Sequence, residues 1–224
     1  MPAGLFIAGA DTEVGKTFIA RATINCLRKW GLKVAPFKPV QTGVLSFTQS
    51  DAQLLIEAAG FDPALRNSVC PYSFKEPVSP HLAARIENRP VDIEVIKNCF
   101  ARLRERSDIV VVEGAGGLLS PITETGYSCA ELAKDLRTPM IIVAKAALGT
   151  LNQSRMAVEC AKRRGVHVHL VVLNGSSRQP DLAEKTNREE LARFIDVPVS
   201  PPVPMGASLQ QTAEILKPYL KELR

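Results

Sequence analysis

The chain has no run approaching eighteen consecutive apolar residues, which argues against a membrane-spanning helix. Its N-terminus lacks the basic start, long apolar stretch and small-residue cleavage site of a secretory signal, so a cytoplasmic protein is expected. The five cysteines, Cys26, Cys70, Cys99, Cys129 and Cys160, include no CxxC pair and have no nearby histidine to complete a zinc site. Their odd number argues against a disulfide framework, and they read as small core or half-buried residues in a reducing compartment. The net charge is +5, yet no basic run gathers it. Such dispersal suits a small polyanionic ligand better than a nucleic acid. The one cluster, RLRERS at residues 102–107, mixes signs as the solvated face of an amphipathic helix does. With no repeat, low-complexity segment or linker, residues 1–224 are expected to form a single domain.

What is present is a rhythm. Apolar, β-branched runs recur at residues 5–8, 34–37, 109–112, 140–144 and 168–173. Helical patterns lie between them at 51–59, 93–106, 129–136, 151–164 and 188–194, and a last one covers 208–222. Strands that are continuously apolar fit a mostly parallel sheet with helices on both faces, an α/β fold. In such sheets ligands gather at the carboxyl ends of the strands. The segments that follow the five runs are GADTEVGKT, KPVQTG, EGAGG, KAALGTLN and NGSS, all polar or glycine-rich. The proline-rich stretch 198–204 reads as a rigid loop beside the site.

GADTEVGKT, residues 9–17, stands between a strand and a helix, the context of a phosphate-binding loop. Backbone N–H groups and the positive helix end would cradle phosphates, Lys16 would reach the terminal ones, and Thr17 would offer a hydroxyl to magnesium. The spacing departs from GxxxxGK[ST], because Ala10 occupies the first glycine position and Gly9 lies one place early. Glu113, at the end of an apolar strand, is the expected magnesium-holding carboxylate, and the glycines after it let backbone approach a ligand. Lys38 follows another strand directly and precedes Pro39, which holds it extended toward the strand ends. There it can bind an anionic substrate or charge developing on a transferred phosphoryl group. His81 reads equally as support for a substrate loop or as a helix-start residue, and His167 and His169 have too few companions for a metal site.

Taken together in this order, GADTEVGKT, KPVQTG, EPVSPH, VEGAGGLLSP and ALGTLN resemble the dethiobiotin synthetases, from the first strand to about Asn187. The resemblance implies a P-loop NTPase fold and a homodimer whose active sites draw on both subunits. It also implies a reaction in three steps. Carbon dioxide adds to one amine of 7,8-diaminononanoate, MgATP phosphorylates the carbamate, and the second amine closes the ureido ring with release of phosphate. Lys38, Lys16 and Thr12 would be catalytic. Glu13, Val14, Gly15, Lys16 and Thr17 would bind the triphosphate, with Gly114, Ala115 and Gly116 close by. Thr17, Asp51 and Glu113 would surround magnesium. Asn174, Gly175, Pro204, Met205 and Gly206 would lie around the base. Thr42 would touch the diamine, and Gly149, Thr150, Leu151 and Asn152 would receive the substrate carboxylate across the dimer interface. No nucleic acid or membrane partner is implied.

Three features depart from the family pattern. The segment between Thr42 and Asp51 is short, Gln153 stands where histidine is common, and Met205 stands where a bulkier residue often flanks adenine. They leave base preference open among ATP, CTP and GTP. The rival reading is a ParA- or MinD-like dimerising switch ATPase. Its loop, KGGxGKT, carries an extra lysine for which ADTEVGKT has no counterpart.

Overall fold

The computed structural model describes residues 3–222. Strand β1 (Gly4–Gly9) leads into α1 (Lys16–Lys29), β2 (Val34–Phe37) and the short β3 (Val40–Gln41). Helices α2 (Asp51–Ala59) and α3 (Arg66–Val69), the short β4 (Tyr72–Ser73), α4 (Pro80–Ile86) and α5 (Ile93–Arg104) follow. The second half alternates β5 (Ile109–Gly117), α6 (Cys129–Asp135), β6 (Met140–Lys145) and α7 (Thr150–Arg163). It ends with β7 (Val168–Ser176), α8 (Leu182–Phe194), β8 (Val203–Pro204) and α9 (Leu209–Lys221).

Six strands form one parallel sheet in the order β2-β5-β1-β6-β7-β8. Every residue of β1 and β2, and all but the last of β6, is buried. Since neighbouring side chains on a strand point to opposite faces, helices must cover both. Helix α1 packs against α2 and α9, and α7 against α8. Ile19, Ile24 and Leu27 bury the inner stripe of α1 completely, each contributing roughly 1.5–3 kcal/mol of hydrophobic stabilisation. From β1 the chain crosses outward past β5 to β2, whereas from β5 it crosses β1 to β6. This reversal opens a crevice at the carboxyl end of β1. All five cysteines are free, four buried and Cys160 half-buried, as their spacing suggested.

Several boundaries differ from the sequence reading. Strands β5 and β7 run on through Gly117 and Ser176, because Gly9 pairs with Gly117 and Lys145 with Asn174. Glu113 and Asn174 therefore stand inside strands. Helix α8 begins six residues before residue 188, started by a capping box of Asp181 and Glu184. The mixed-sign cluster 102–107 straddles the end of α5 at Arg104. The proline-rich stretch is also more than a loop: Val199 bridges to Val171, and β8 adds an edge to the sheet. Pro204 is tolerated there because an edge strand leaves one side unpaired.

The helices other than α3 and α4 start in two ways. Ser50, Asp92, Ser128, Asp181 and Ser208 cap α2, α5, α6, α8 and α9 with side-chain oxygens. Helices α1 and α7 start instead on left-handed glycines, Gly15 (φ 87°) and Gly149 (φ 96°), without a side-chain cap or an acid in the first turn. The start of α1 leaves its first N–H groups to an outside acceptor, whereas at α7 the Thr150 N–H already donates to the Ala147 carbonyl at 3.3 Å; at both, the helix dipole adds attraction for an anion.

Candidate active site

The loop from β1 to α1 is held by few contacts, each backbone-specific. Ala10 N–H donates to the Val143 carbonyl at 2.8 Å, and Asp11 Oδ1 accepts from Thr12 N–H at 2.7 Å. A Cβ on Gly9 would come within 2.4 Å of the Asp11 carbonyl and 3.2 Å of Lys16 Nζ. The glycine displaced from the consensus spacing is thus the one the turn requires. Behind the loop, Asn174 Nδ2 donates to the Val14 carbonyl at 2.9 Å. It lies 2.1 Å from where a Cβ of Gly15 would be.

Across the crevice a charged cluster is locked together. Lys38 Nζ lies 2.5 Å from Glu113 Oε1 and 3.1 Å from Asp51 Oδ2, and donates to the Gly114 carbonyl at 3.3 Å. Thr17 donates its hydroxyl to the same Glu113 Oε1 at 2.8 Å. Burial pulls the Lys38 ammonium toward its neutral form, but Glu113 and Asp51 more than offset this and hold its pKa above the usual lysine value. Burial likewise pushes the Asp51 carboxyl up, yet Lys38, aided by Thr17, leaves it below the carboxylate range. Lys16 is pulled down by burial and then by the charge of Lys38. Two buried cations near one another seek an anion.

Glu113 is 1% exposed, and its Oε2 has no hydrogen-bond partner among the described residues. A buried carboxylate oxygen without a partner is costly. Glu113, Asp51 and Thr17 also make an all-oxygen donor set, the chemistry of a hard cation such as magnesium. No cluster of three or more His, Cys, Asp or Glu suited to a metal occurs among the described residues. A cation here would complete its shell with phosphate and water.

These groups line a cleft of about 680 Å3. Its walls include Thr12, Glu13, Gly15, Lys16, Thr17, Lys38, Thr42, Asp51, Glu113, Ala115 and Gly116. Gly114 faces inward, where a Cβ would meet Cys129 Sγ at 2.8 Å and the Phe6 ring at 3.0 Å. Val14 is buried. Gln41, Ser120 and the segment from Pro77 to Pro80 are further walls, within the motifs KPVQTG, VEGAGGLLSP and EPVSPH but with no individual role assigned from sequence. The signal for the last was present in EPVSPH, which had no role until β3 and β4 paired and set Thr42 beside it.

Of the residues expected around the base, Pro204, Met205 and Gly206 line a separate hollow of about 760 Å3 with the start of α9, and Asn174 and Gly175 lie outside it. Met205 N–H donates to the Ser176 carbonyl at 2.7 Å, and Gly175 (φ 81°) precedes it on the neighbouring strand. Gly149, Thr150, Leu151 and Asn152 lie at the start of α7, outside the cleft, with Thr150 buried and Asn152 exposed. The first turn of α7 touches the phosphate loop through Gln153 Nε2, which donates to Asp11 Oδ2 at 3.2 Å.

A family model described as an AAA domain matches residues 3–213. The ATP-dependent dethiobiotin synthetase BioD of Bacillus licheniformis is 37% identical over 196 residues, spanning 88% of this chain and 83% of that protein. The protein of the same name from Anaeromyxobacter dehalogenans is 41% identical over 191 residues, 85% of each chain. Among solved structures, a ParA family ATPase from Chlorobium tepidum TLS superposes with a TM-score of 0.56 at 16% identity, covering 98% of this chain and 93% of that one. Chloroplast FtsY from Physcomitrella patens gives 0.54 at 17% identity, covering 98% and 65%. At such identities these two share the P-loop NTPase fold and nothing narrower.

Proposed function

This chain belongs to the ATP-dependent dethiobiotin synthetases, and from that premise we propose which of its residues carry the reaction and with what help. It is an ATP-dependent ligase that forms carbon–nitrogen bonds. The observation that carries the assignment of the site is the buried Lys38–Glu113 pair, with Asp51 and Thr17 attached, beside the phosphate loop. Phosphorylating a carbamate brings two anions together, and fixed positive charge is what lowers that barrier.

In this reading the triphosphate lies on the uncapped start of α1, against Glu13, Val14, Gly15, Lys16 and Thr17. Thr17, Asp51 and Glu113 hold magnesium, which when bound supplies charge neutralisation between the phosphates. Lys16 and Lys38 spread the charge of the reacting oxygens, and Thr12 and Thr42 orient the carbamate and the diamine. Asn174, Gly175, Pro204, Met205 and Gly206 surround the base. The uncapped start of α7, from Gly149 to Asn152, takes the carboxylate of 7,8-diaminononanoate bound to a second copy. The protein then acts as a cytoplasmic homodimer of one-domain chains. Leu148, 87% exposed at that helix start, supports a surface completed by another subunit. The ParA likeness rests on fold alone and does not favour a switch ATPase.

The test is phosphate release from MgATP with bicarbonate, with and without 7,8-diaminononanoate, while dethiobiotin is followed by mass spectrometry. Both products should appear together only with the diamine, and a chelator of divalent cations should stop both. Phosphate release stimulated by DNA or lipid, with no dethiobiotin, would instead support the switch reading.

A further inference from the structure

Ser79 and His81 belong to a motif that the site assignments leave without a task. Ser79 is the N-cap residue of α4, yet its hydroxyl makes no cap bond, forgoing about 1 kcal/mol that a serine usually contributes there. It is engaged instead with His81 Nδ1 at 3.0 Å. Pro80, at the first helical position, lacks an N–H and needs no cap. The pair is clamped from both sides. Gly43 N–H donates to the Glu76 carbonyl at 3.1 Å and His81 N–H to the Pro121 carbonyl at 3.3 Å, which tie it to the turn after β3 that carries Thr42 and to the loop after β5. Ser79 lines the reaction cleft with Lys38 and Thr42. His81 lines a different cavity, of about 460 Å3, with Asn88, Thr123 and Thr125.

We propose that Ser79 and His81 are the proton-accepting relay for the ring-closing amine of the diamine, Ser79 touching the substrate and His81 acting through it. The inference rests on the dethiobiotin synthetase reading of the cleft. A substrate ammonium must lose two protons to become a ureido nitrogen. As the amine attacks the carbamoyl carbon, a C–N bond forms and the C–O bond to phosphate breaks, its electron pair leaving with the phosphate. One proton goes with the departing phosphate. The other passes to Ser79 Oγ while the Ser79 hydroxyl proton moves to His81 Nδ1, whose Nε2 carries the ring hydrogen. From His81 it can leave through the second cavity without crossing the phosphate site. Other side chains of the cleft are less suited. Glu113 Oε1 is shared by Lys38 and Thr17 and its Oε2 is kept for magnesium in the proposed site, Lys38 holds the Asp51 carboxyl low, which makes it a weak base, and Ser120 Oγ accepts from Gly117 N–H at 2.9 Å.

The relay acts after phosphoryl transfer, so its loss should uncouple the two halves of the reaction. ADP and dethiobiotin are measured together in Ser79→Ala, His81→Gln and Ser79→Thr. Dethiobiotin turnover should fall on the order of a hundredfold in Ser79→Ala and His81→Gln. The ratio of ADP to dethiobiotin should rise above the value of about one expected for the unsubstituted protein, as uncaptured anhydride hydrolyses. Ser79→Thr, which keeps the hydroxyl, should restore both rate and ratio. Slower turnover at an unchanged ratio would mean a merely structural pair and overturn the proposal. If the unsubstituted protein made no dethiobiotin, the reading of the cleft itself would fail, and the relay with it.

Discussion

The two halves of the proposed nucleotide site are built on opposite principles. Around the phosphate loop, Lys38 and Glu113 are almost wholly buried and bonded to one another, with Asp51 and Thr17 attached. Around the expected base position, Pro204, Met205 and Gly206 are exposed, with Met205 at 66%. The first half has its charges fixed before any substrate arrives, so little reorganisation is left for the moment of reaction. The second half is a backbone ledge at an edge strand, whose exposed side chains can change at little cost in stability. Chemistry is therefore expected to be robust in this chain and base preference adjustable.

Breaking the buried half should give the largest effect. Lys38→Ala removes a charge-stabilising group, at a cost of roughly 3–4 kcal/mol or a few hundredfold in turnover. It also strands the Glu113 carboxylate, for which breaking a buried pair typically costs about 3–5 kcal/mol of stability. Steady-state rates and urea unfolding would read the two separately, and near-normal turnover would remove Lys38 from its role. Gly114→Ala comes next. Its methyl would press on Cys129 and Phe6 in the core, and overpacking of this kind costs about 1–3 kcal/mol, visible as a lower melting temperature.

A smaller effect should depend on pH. The Asp51 carboxyl is lowered from its ordinary 3.8, so its contribution to stability is present above that value and lost as pH falls through the lowered one. Its side chain is 44% exposed, and solvent screening keeps that contribution under about 1 kcal/mol. The unfolding free energies of the parent and Asp51→Asn should differ by a constant amount from pH 5 to 8 and converge in stronger acid. A gap that widened on acidification would mean that Lys38 is not what holds Asp51.

The contrast between the halves also governs what could be read from sequence. Strands β1, β2 and β6 announce themselves as apolar runs because both their faces are covered. Lys38, Glu113 and the phosphate loop are legible because each follows or ends such a run. That Lys38 is bound to Glu113 and Asp51 is not legible: the three are brought together by the pairing of β2 with β5 and the position of α2, which no local pattern encodes. The apolar pattern understates α8 because Glu184 and Asn187 take buried positions that a helix usually gives to apolar residues. Asn187 is satisfied there by the Ala146 and Ala147 carbonyls, each at 3.1 Å. The capping signal Asp181-x-x-Glu184 was the better guide. Ser79 and the segment from Pro77 went unplaced for a related reason, since their place in the cleft depends on a two-residue pairing of β3 with β4.

The smallest expected effect tests the exposed half. Met205→Ala removes a side chain that is mostly in water, so stability should change by less than about 0.5 kcal/mol. If Met205 flanks the base, the loss falls on ground-state binding and transition-state binding alike, raising KM for the nucleotide with kcat unchanged. Rates with ATP, CTP and GTP in the parent and the variant would measure both the effect and its selectivity. A rise in KM shared by all three nucleotides would mean that Met205 supplies a nonspecific apolar wall and that the backbone of β8 and the Asn174 amide do the discriminating. A fall in kcat would contradict the division of the site, because it would tie an exposed edge residue to a transition state formed at the buried end.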